Sequence, residues 1–404
     1  MIQRNIYIEN MPVEKALNLF MQRLDDCGYF KWESEYINVL DSLGRVSSSA
    51  VLARRSSPHY VASAMDGIAV KSSMTFAANE NNPVNLLRDR DFLEVDTGDY
   101  VPREFDAVIM IEDVNFEGDY ARIYKPAVPW QHLRSVGEDL VAQDLIIPGG
   151  QLIGPYEIAS FHSAAVGQVE VIKKPRVAII PTGTELVDQG SENMAPGEIV
   201  ESNSYMLANL CREWGALPFR HEIVIDDKEL LRQAVREVKD QADMIVICSG
   251  SSAGREDYTS SIIAEFGEVL VHGLAIRPGK PAILGIIDNK PAIGVPGYPV
   301  SAQLIFNLFA RQVLLRKQGL PEPEENYLPC QVSRKMASSM GVDEYIYVNI
   351  AKIKDSYVAY PLNRGAGIST SLVKADGILH IPRGSEGLLA GESSPVILRR
   401  PKHS

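Results

Sequence analysis

The sequence predicts an α/β multidomain protein, and three patterns predict it. Strand and helix alternate between residues 177 and 248, short β-prone runs fill about 56–131 and return after 320, and an amphipathic helix opens the chain. A length of 404 residues asks for several domains, since one domain takes roughly 150. With 45% hydrophobic and 23% charged residues, the composition is that of a chain that buries real cores. The net charge of −12 repels phosphate backbones and anionic lipid, so neither nucleic acid nor a membrane is an expected partner. The first twenty residues lack a basic segment followed by an apolar core, and no stretch reaches eighteen uninterrupted apolar residues; both point to the cytoplasm. Cys27, Cys211, Cys248 and Cys330 stand too far apart for a zinc site or a disulfide framework and read as buried free thiols.

Pro12 suits a first helical turn, and Val13, Ala16, Leu17, Phe20 and Leu24 follow at helical spacing. The runs GIAV, FLEV, AVIMIEDV and ARIYKP, cut by Gly, Asp, Asn and Pro, make a small β domain. After Gly137 a mainly helical stretch leads to Lys173, Lys174 and Pro175, and is expected to pack beside the first helix, which makes the β domain an insertion. The boundaries that follow are 1–58 with 138–174 for a discontinuous helical domain, 59–137 for the insertion, 175–320 for an α/β domain and 321–404 for a final β domain. In the α/β domain, 177–180, 223–225 and 244–248 read as strands. Leu207, Leu210, Cys211 and Trp214 form one helix face after an Asn203 or Ser204 cap, and Leu231, Ala234, Val235 and Val238 form another. This alternation implies a parallel sheet with right-handed crossovers, whose ligands bind beyond the carboxyl ends of the strands. A long helix near 300–317 and the linker PEPEE close the domain.

Four loops therefore carry the interest. PTGTELV offers Glu185 at a strand end, and the small residues of SGSSAGREDYT let backbone N–H groups approach an anion, with Asp257 following as a metal ligand. Residue types alone favour instead a flexible turn in which Asp257 caps the helix near Tyr258, and it is the neighbouring RPGKP loop that shifts the balance. RPGKP supplies Arg277 and Lys280 as cations for phosphate or oxyanion groups, and VPGYPVS opens a helix with Ser301 as a neutral donor. Together they predict one anion site. In the β domain, SAMDG, DTGD and RSVGED bring Asp66, Thr97, Asp99, Arg134, Glu138 and Asp139; for Asp66, Asp99 and Asp139 composition alone favours turn or capping work over catalysis. GxGxxG, a P-loop and GxSxG are all absent, which speaks against a dinucleotide site, a P-loop NTPase and a hydrolase elbow.

The strings SAMDGIAV, TGD with DAVIMIEDV, RSVGEDL, RVAIIPTGTELV, SGSSAGREDYT, RPGKP and PGYPVS stand in the order found in MoeA-type molybdopterin molybdenumtransferases, and the resemblance covers nearly the whole chain. It implies a four-part elongated homodimer: a helical N-terminal domain, an inserted β domain, a central MogA-like α/β domain and a C-terminal β barrel. It also implies a reaction, the insertion of molybdate into adenylylated molybdopterin with release of AMP, promoted by a divalent cation, Mg2+. Gly250, Ser252 and Gly254 match the loop that holds the nucleotide and phosphate. Asp257 matches the principal catalytic and metal-linked aspartate, Asp226 a second acid beside it, and Glu185 the acid of the TGxEL loop. Lys280 and Ser301 match oxyanion-linked positions, and Arg277, Pro296 and Pro299 complete the substrate loops. Asp66, Thr97, Arg134 and Asp139 match a cluster that meets the α/β site of the other subunit across the dimer cleft.

The departures are CSGSSAG for the usual SGGxSxG, PGYPVS for PGNPVS, Arg277 for a lysine, and Tyr347 where many members carry a molybdate-holding arginine. Arg364 or Arg383 is then the nearby substitute, and on charge alone Tyr347→Arg is expected to tighten molybdate binding. Tyr347 also leaves open a weakened binding or scaffold protein, since the family's domain in gephyrin anchors receptor tails. A tungsten insertase is a further alternative, and the sister adenylyltransferase lacks the flanking β domains.

Overall fold

The computed structural model describes residues 10–188, 190, 194–249, 256–322 and 324–399. They form two compact units: one from the residues up to Glu33 with those from Lys173 onward, the other from Ser34–Ile172. No helix among the described residues is long and apolar enough to cross a membrane, and the four cysteines are free thiols.

The first unit is built on a six-stranded sheet in the order Leu217–Arg220, Arg176–Pro181, Met244–Ser249, Lys290–Pro296, Ile283–Ile287, Gly267–His272. The first four strands pair in parallel, but Ile283–Ile287 runs the other way and pairs antiparallel with both Lys290–Pro296 and Gly267–His272, so the wholly parallel sheet expected from sequence is corrected. The cause is the two-residue link Asp288-Asn289, whose φ angles of 47° and 62° are those of a tight hairpin turn. A second correction concerns 223–225. The strand is Leu217–Arg220 at the sheet edge, where Pro218 is tolerated, and Val224 makes only a single bridge to Thr182.

Helix Asn203–Glu213 buries Leu207 and Cys211, and helix Lys228–Lys239 buries Leu231, Ala234, Val235 and Val238 on its predicted stripe. Asp227 caps the latter, accepting from the Glu229 and Leu230 amides, a contact worth about 1 kcal/mol. The expected Asn203 or Ser204 cap is replaced by Ser202 at the cap position. Helix Val13–Asp26 buries Ala16, Phe20 and Leu24 in one core with Leu284 and Ile286 of the sheet. It thus belongs to the α/β unit, and the expected packing beside 138–174 is not what its apolar face does. The expected long helix is Pro299–Ile305 and Arg311–Lys317 joined through one π turn, Phe306–Ala310.

Beyond it, Tyr327–Val332, Asp343–Ile353, Ser356–Pro361, Gly377–Ile381 and Ser393–Leu398 pair around a closed five-stranded barrel. Ile346, Val348, Leu379 and Val396 fill it. Ile276–Arg277 runs parallel to Asp343 and Glu344, which carries the RPGKP segment to the barrel wall.

In the second unit, Gly67–Val70 lies between Phe92–Val95 and Ala107–Met110, and Tyr120–Ile123 between Val84–Leu87 and Val114–Glu117. Gly67 is required there, because a Cβ would stand 1.9 Å from the Ile109 carbonyl oxygen. The 138–174 stretch is not mainly helical. Its helix spans Pro155–Ser163 alone, while Leu145–Ile147 and Gln168–Ile172 pair with Val51–Leu52 and Ser34–Asn38.

Candidate active site

The carboxyl ends of three adjacent parallel strands, Arg176–Pro181, Met244–Ser249 and Lys290–Pro296, open onto a cavity of about 330 Å³ lined by Thr182, Glu185, Cys248, Gly297, Tyr298 and Pro299 among others. The PTGT turn is fixed to the sheet by the Thr182 hydroxyl on the Cys248 carbonyl (3.0 Å) and the Gly183 amide on the Val224 carbonyl (3.0 Å). A Cβ at Gly183 would lie 2.8 Å from Leu186 Cγ and 3.1 Å from Glu185 Oε2, so a larger residue there would displace the Leu186 side chain and crowd the Glu185 carboxylate.

Asp226 joins the same turn. Its Oδ2 accepts from the Thr184 amide (2.9 Å) and the Thr184 hydroxyl (3.0 Å). Glu185 and Asp226 are therefore brought together through Thr184, and both present carboxylate oxygens, the donor class that Mg2+ takes. Among the described residues no cluster of three His, Cys, Asp or Glu assembles. Gly250, Ser252 and Gly254 lie outside the described residues. The backbone of Asp257 opens helix Glu256–Phe266, and its side chain also lies outside the described set.

Sequence reasoning missed the far wall of this cavity. Glu201, 4% exposed, accepts from the Ser204 amide (2.8 Å) and hydroxyl (2.5 Å) and pairs with Arg220 at 3.2 Å. The Arg220 guanidinium in turn lies 3.8 Å over the Tyr205 ring. The only signal was an acid three residues before the serine of a helix start, in ESNS. Burial, and behind it the Glu201 charge, pushes the Cys248 thiol well above its ordinary value, so it stays protonated. Asn203 donates to the Gly297 carbonyl at 2.6 Å, while its own Oδ1 is buried without a partner beside the cavity.

A second cavity, about 220 Å³, lies against the barrel and holds Arg277, Arg364, Glu344 and Tyr347. One loop separates the two. Gly365 and Ala366 line the smaller cavity and Gly367 and Ser369 the larger, and the Val300 amide donates to the Ala366 carbonyl at 3.1 Å. The expected convergence of four loops on one site is thus divided, with RPGKP facing the barrel cavity. Arg277 lines it; Lys280 is exposed and lines neither cavity. Pro296 ends its strand, Pro299 lines the larger cavity, and Ser301 is buried away from both.

Tyr347 is 5% exposed and its hydroxyl donates to Gln303 Oε1 at 2.6 Å; burial raises the phenol to about 12. Of the two proposed substitutes, Arg364 lines the cavity and donates to Glu344 Oε1 at 3.4 Å, and Arg383 does not line it. Two guanidiniums against one carboxylate leave the cavity positive, and the orphaned buried Glu344 Oε2 is an acceptor for a donor on a bound group.

In the second unit, Asp66 Oδ1 accepts from the Thr97 amide (2.6 Å) and hydroxyl (2.7 Å), and the hydroxyl above all holds its carboxyl below the ordinary range. The Gly98 amide donates to the Ser63 carbonyl, and the Ser63 amide to that of Asp99. Leu133 and Arg134 pair with Ser63 and Ala62, Arg134 bridges Glu138 at 3.2 Å, and the Asp139 amide donates to Ser57. SAMDG, TGD and RSVGED therefore form one surface. Asp99 keeps the turn role, its Oδ2 accepting from the Asp96 amide.

Carboxylates at the carboxyl edge of an α/β sheet, beside a guanidinium-lined cavity on an appended barrel, define a multidomain α/β protein with a charged cleft where such sheets bind their ligands. The chain matches the models described as "MoeA N-terminal region (domain I and II)" over residues 11–167, "Probable molybdopterin binding domain" over 178–316 and "MoeA C-terminal region (domain IV)" over 329–398. It is 31% identical over 403 residues to a protein of Methanocaldococcus jannaschii named for molybdopterin biosynthesis, covering 96% of this chain and 98% of that one. A molybdopterin molybdenumtransferase of Nostoc sp. is 26% identical over 90% of this chain and 88% of its own length. The crystal structure of a molybdopterin biosynthesis MoeA protein from Pyrococcus horikosii superimposes with a TM-score of 0.79 at 31% identity, over 98% of this chain and 100% of that one. The chain belongs to the MoeA family.

Proposed function

We infer that this chain is an enzyme of molybdenum cofactor biosynthesis, a molybdopterin molybdenumtransferase that inserts molybdate into adenylylated molybdopterin and releases AMP. The observation that carries the reading is the pair of cavities on either face of the 365–369 loop, one bearing Glu185 at the strand ends with Asp226 bound to the adjoining turn, the other bearing Arg277 and Arg364. The larger suits the nucleotide and phosphate side of the substrate, and the smaller a tetrahedral oxyanion. Cleavage breaks the phosphoanhydride bridge, water supplies an oxygen to one phosphorus, and AMP leaves with the other.

Within this reading Asp226 and Asp257 would hold Mg2+, which when bound offsets the charge of the diphosphate oxygens, with Glu185 a catalytic acid beside them. Thr184 orients Asp226 through two hydrogen bonds. The buried Glu201–Arg220 pair keeps the cavity wall in place, and the 365–369 loop packs on Tyr298, where a Gly367 Cβ would lie 3.3 Å from the ring, and so shields the cavity from water. The Asp66–Thr97–Arg134–Asp139 surface is the part contributed by a second subunit of a homodimer. Exposed apolar side chains of the second unit support self-association: Tyr156 (83%), Tyr36 (71%), Leu40 and Leu43, of which Leu43 adjoins Gly44, whose amide donates to the Ile153 carbonyl.

The test is a reconstituted assay on the purified chain with adenylylated molybdopterin and magnesium. AMP is expected to appear only after molybdate is added, and sedimentation is expected to give the mass of two chains. Nucleotide binding with no molybdate-triggered release would instead favour the scaffold reading, to which the absence of an arginine at 347 gives some support. Tungstate replacing molybdate at lower concentration would make the chain a tungsten insertase.

A further inference from the structure

At the opposite, amino-terminal end of the parallel strands lies a cavity of about 210 Å³ that the proposed reaction does not use. It is formed where Arg176, Asp243 and Lys290 begin or precede their strands and Lys317 ends its helix, all within one compact unit. Five cations and three carboxylates line it, a net charge of +2 in a chain whose total is −12.

The carboxylates are largely answered already. Glu33 bridges Lys173 at 2.9 Å, Asp240 bridges Lys239 at 3.1 Å, and Asp243 Oδ2 accepts the Arg176 amide at 2.7 Å. The remaining cations are held by neutral groups. Lys317 Nζ donates to the carbonyls of Tyr29 (2.6 Å) and Lys31 (2.8 Å), Lys290 Nζ donates to the Lys239 carbonyl (2.6 Å), and the Arg176 guanidinium lies 5.3 Å from the Phe219 ring centroid. Lys174 makes no ion pair among the described residues. Burial holds Lys317 below its ordinary value, with the charges of Asp243 and Glu33 opposing that shift, so it is a cation that gains from a second anion nearby.

Fixed donors of one sign in a recess too small for a drug-sized ligand select a small, multiply charged anion. We propose that this recess, formed by Lys174, Arg176, Lys290 and Lys317, is a binding site for a small tetrahedral oxyanion of the inorganic phosphate class, separate from the reaction site. It lies at the end of the sheet away from the proposed reaction site and stands independently of the proposed activity.

The test is calorimetric titration of the full-length protein with inorganic phosphate, sulfate and molybdate at low ionic strength, in wild type and two variants. Lys174→Gln with Arg176→Gln is expected to weaken phosphate binding at least about tenfold, the loss of two charge-assisted contacts. Arg364→Gln, which alters the barrel cavity, is expected to leave that binding unchanged. Should the double variant unfold, Lys174→Gln alone is expected to give a smaller loss in the same direction. No phosphate binding by the wild type, or binding lost in Arg364→Gln and kept in the double variant, overturns the assignment. Preference for molybdate over phosphate and sulfate at this site would make it a substrate-loading site and overturn the phosphate class.

Discussion

Asp257→Ala is expected to reduce magnesium-dependent AMP release by on the order of 10²–10⁴-fold, the several kcal/mol that a properly held cation contributes to leaving-group stabilisation. The argument is positional. Asp257 is the second residue of helix Glu256–Phe266, which opens beyond the carboxyl end of Met244–Ser249, the strand whose end lines the larger cavity through Cys248. That helix is anchored by Ile262 and Ile263, both fully buried in the core and a turn or more beyond its start. Truncation in the first turn leaves that anchor intact. Circular dichroism and nucleotide binding are therefore expected to survive. Asp257→Asn, which keeps the shape and removes the charge, is expected to behave like the alanine variant. Turnover that is unchanged, with magnesium dependence intact, would remove Asp257 from the chemistry and leave Glu185 and Asp226 as the acids to test.

The parts of this molecule legible in its sequence are those whose signal is local. Leu231, Ala234, Val235 and Val238 announce a helix face because their spacing is the helix repeat, and all four are buried. GIAV and FLEV announce strands for a similar reason, whereas Ser63 of SAMDG meets Gly98 and Asp99 through backbone bonds and Leu133 by strand pairing, none of which a local pattern contains. What was not legible depends on partners distant in the chain. The apolar stripe of Val13–Asp26 says that the helix is buried and nothing about which sheet buries it; Leu284 and Ile286 answer that from more than 250 residues away. The run ILGII reads the same in a parallel or an antiparallel strand, and only the Asp288-Asn289 turn decides. Pro218 hid an edge strand. In the site, the Thr184–Asp226 bond spans 42 residues and the Glu201–Arg220 contact 19, so neither spacing carries a warning. Arg277 matched a substrate position by motif, but its place on the barrel wall follows from its pairing with Glu344, which no local pattern contains.

Tyr347→Arg is expected to destabilise the protein by about 3 kcal/mol or more and to leave molybdate binding no tighter, the reverse of the result that charge alone suggests. The phenol is 5% exposed and packed with Val300, Leu372 and Ile378, and its hydroxyl is satisfied by Gln303 at 2.6 Å. An arginine there would bury a cation among apolar side chains and against an amide, with the Arg399 guanidinium already 5.4 Å from the ring centroid. Two like charges at that separation in a desolvated pocket repel, so the new side chain is driven from the cavity or the pocket opens. In the proposed function the cation that serves the oxyanion is Arg364, which reaches the same cavity from the loop above and is steadied by the Ala337 carbonyl (2.9 Å) and by Glu344. Arg364→Gln is accordingly expected to raise the KM for molybdate roughly 10–100-fold, the value of one charge-assisted contact, while affinity for the nucleotide part of the substrate stays the same. Denaturant unfolding and molybdate titration of both variants decide the matter. A Tyr347→Arg protein of native stability that binds molybdate more tightly would mean that position 347 reaches the oxyanion directly and that Gln303 releases its side chain when the site fills.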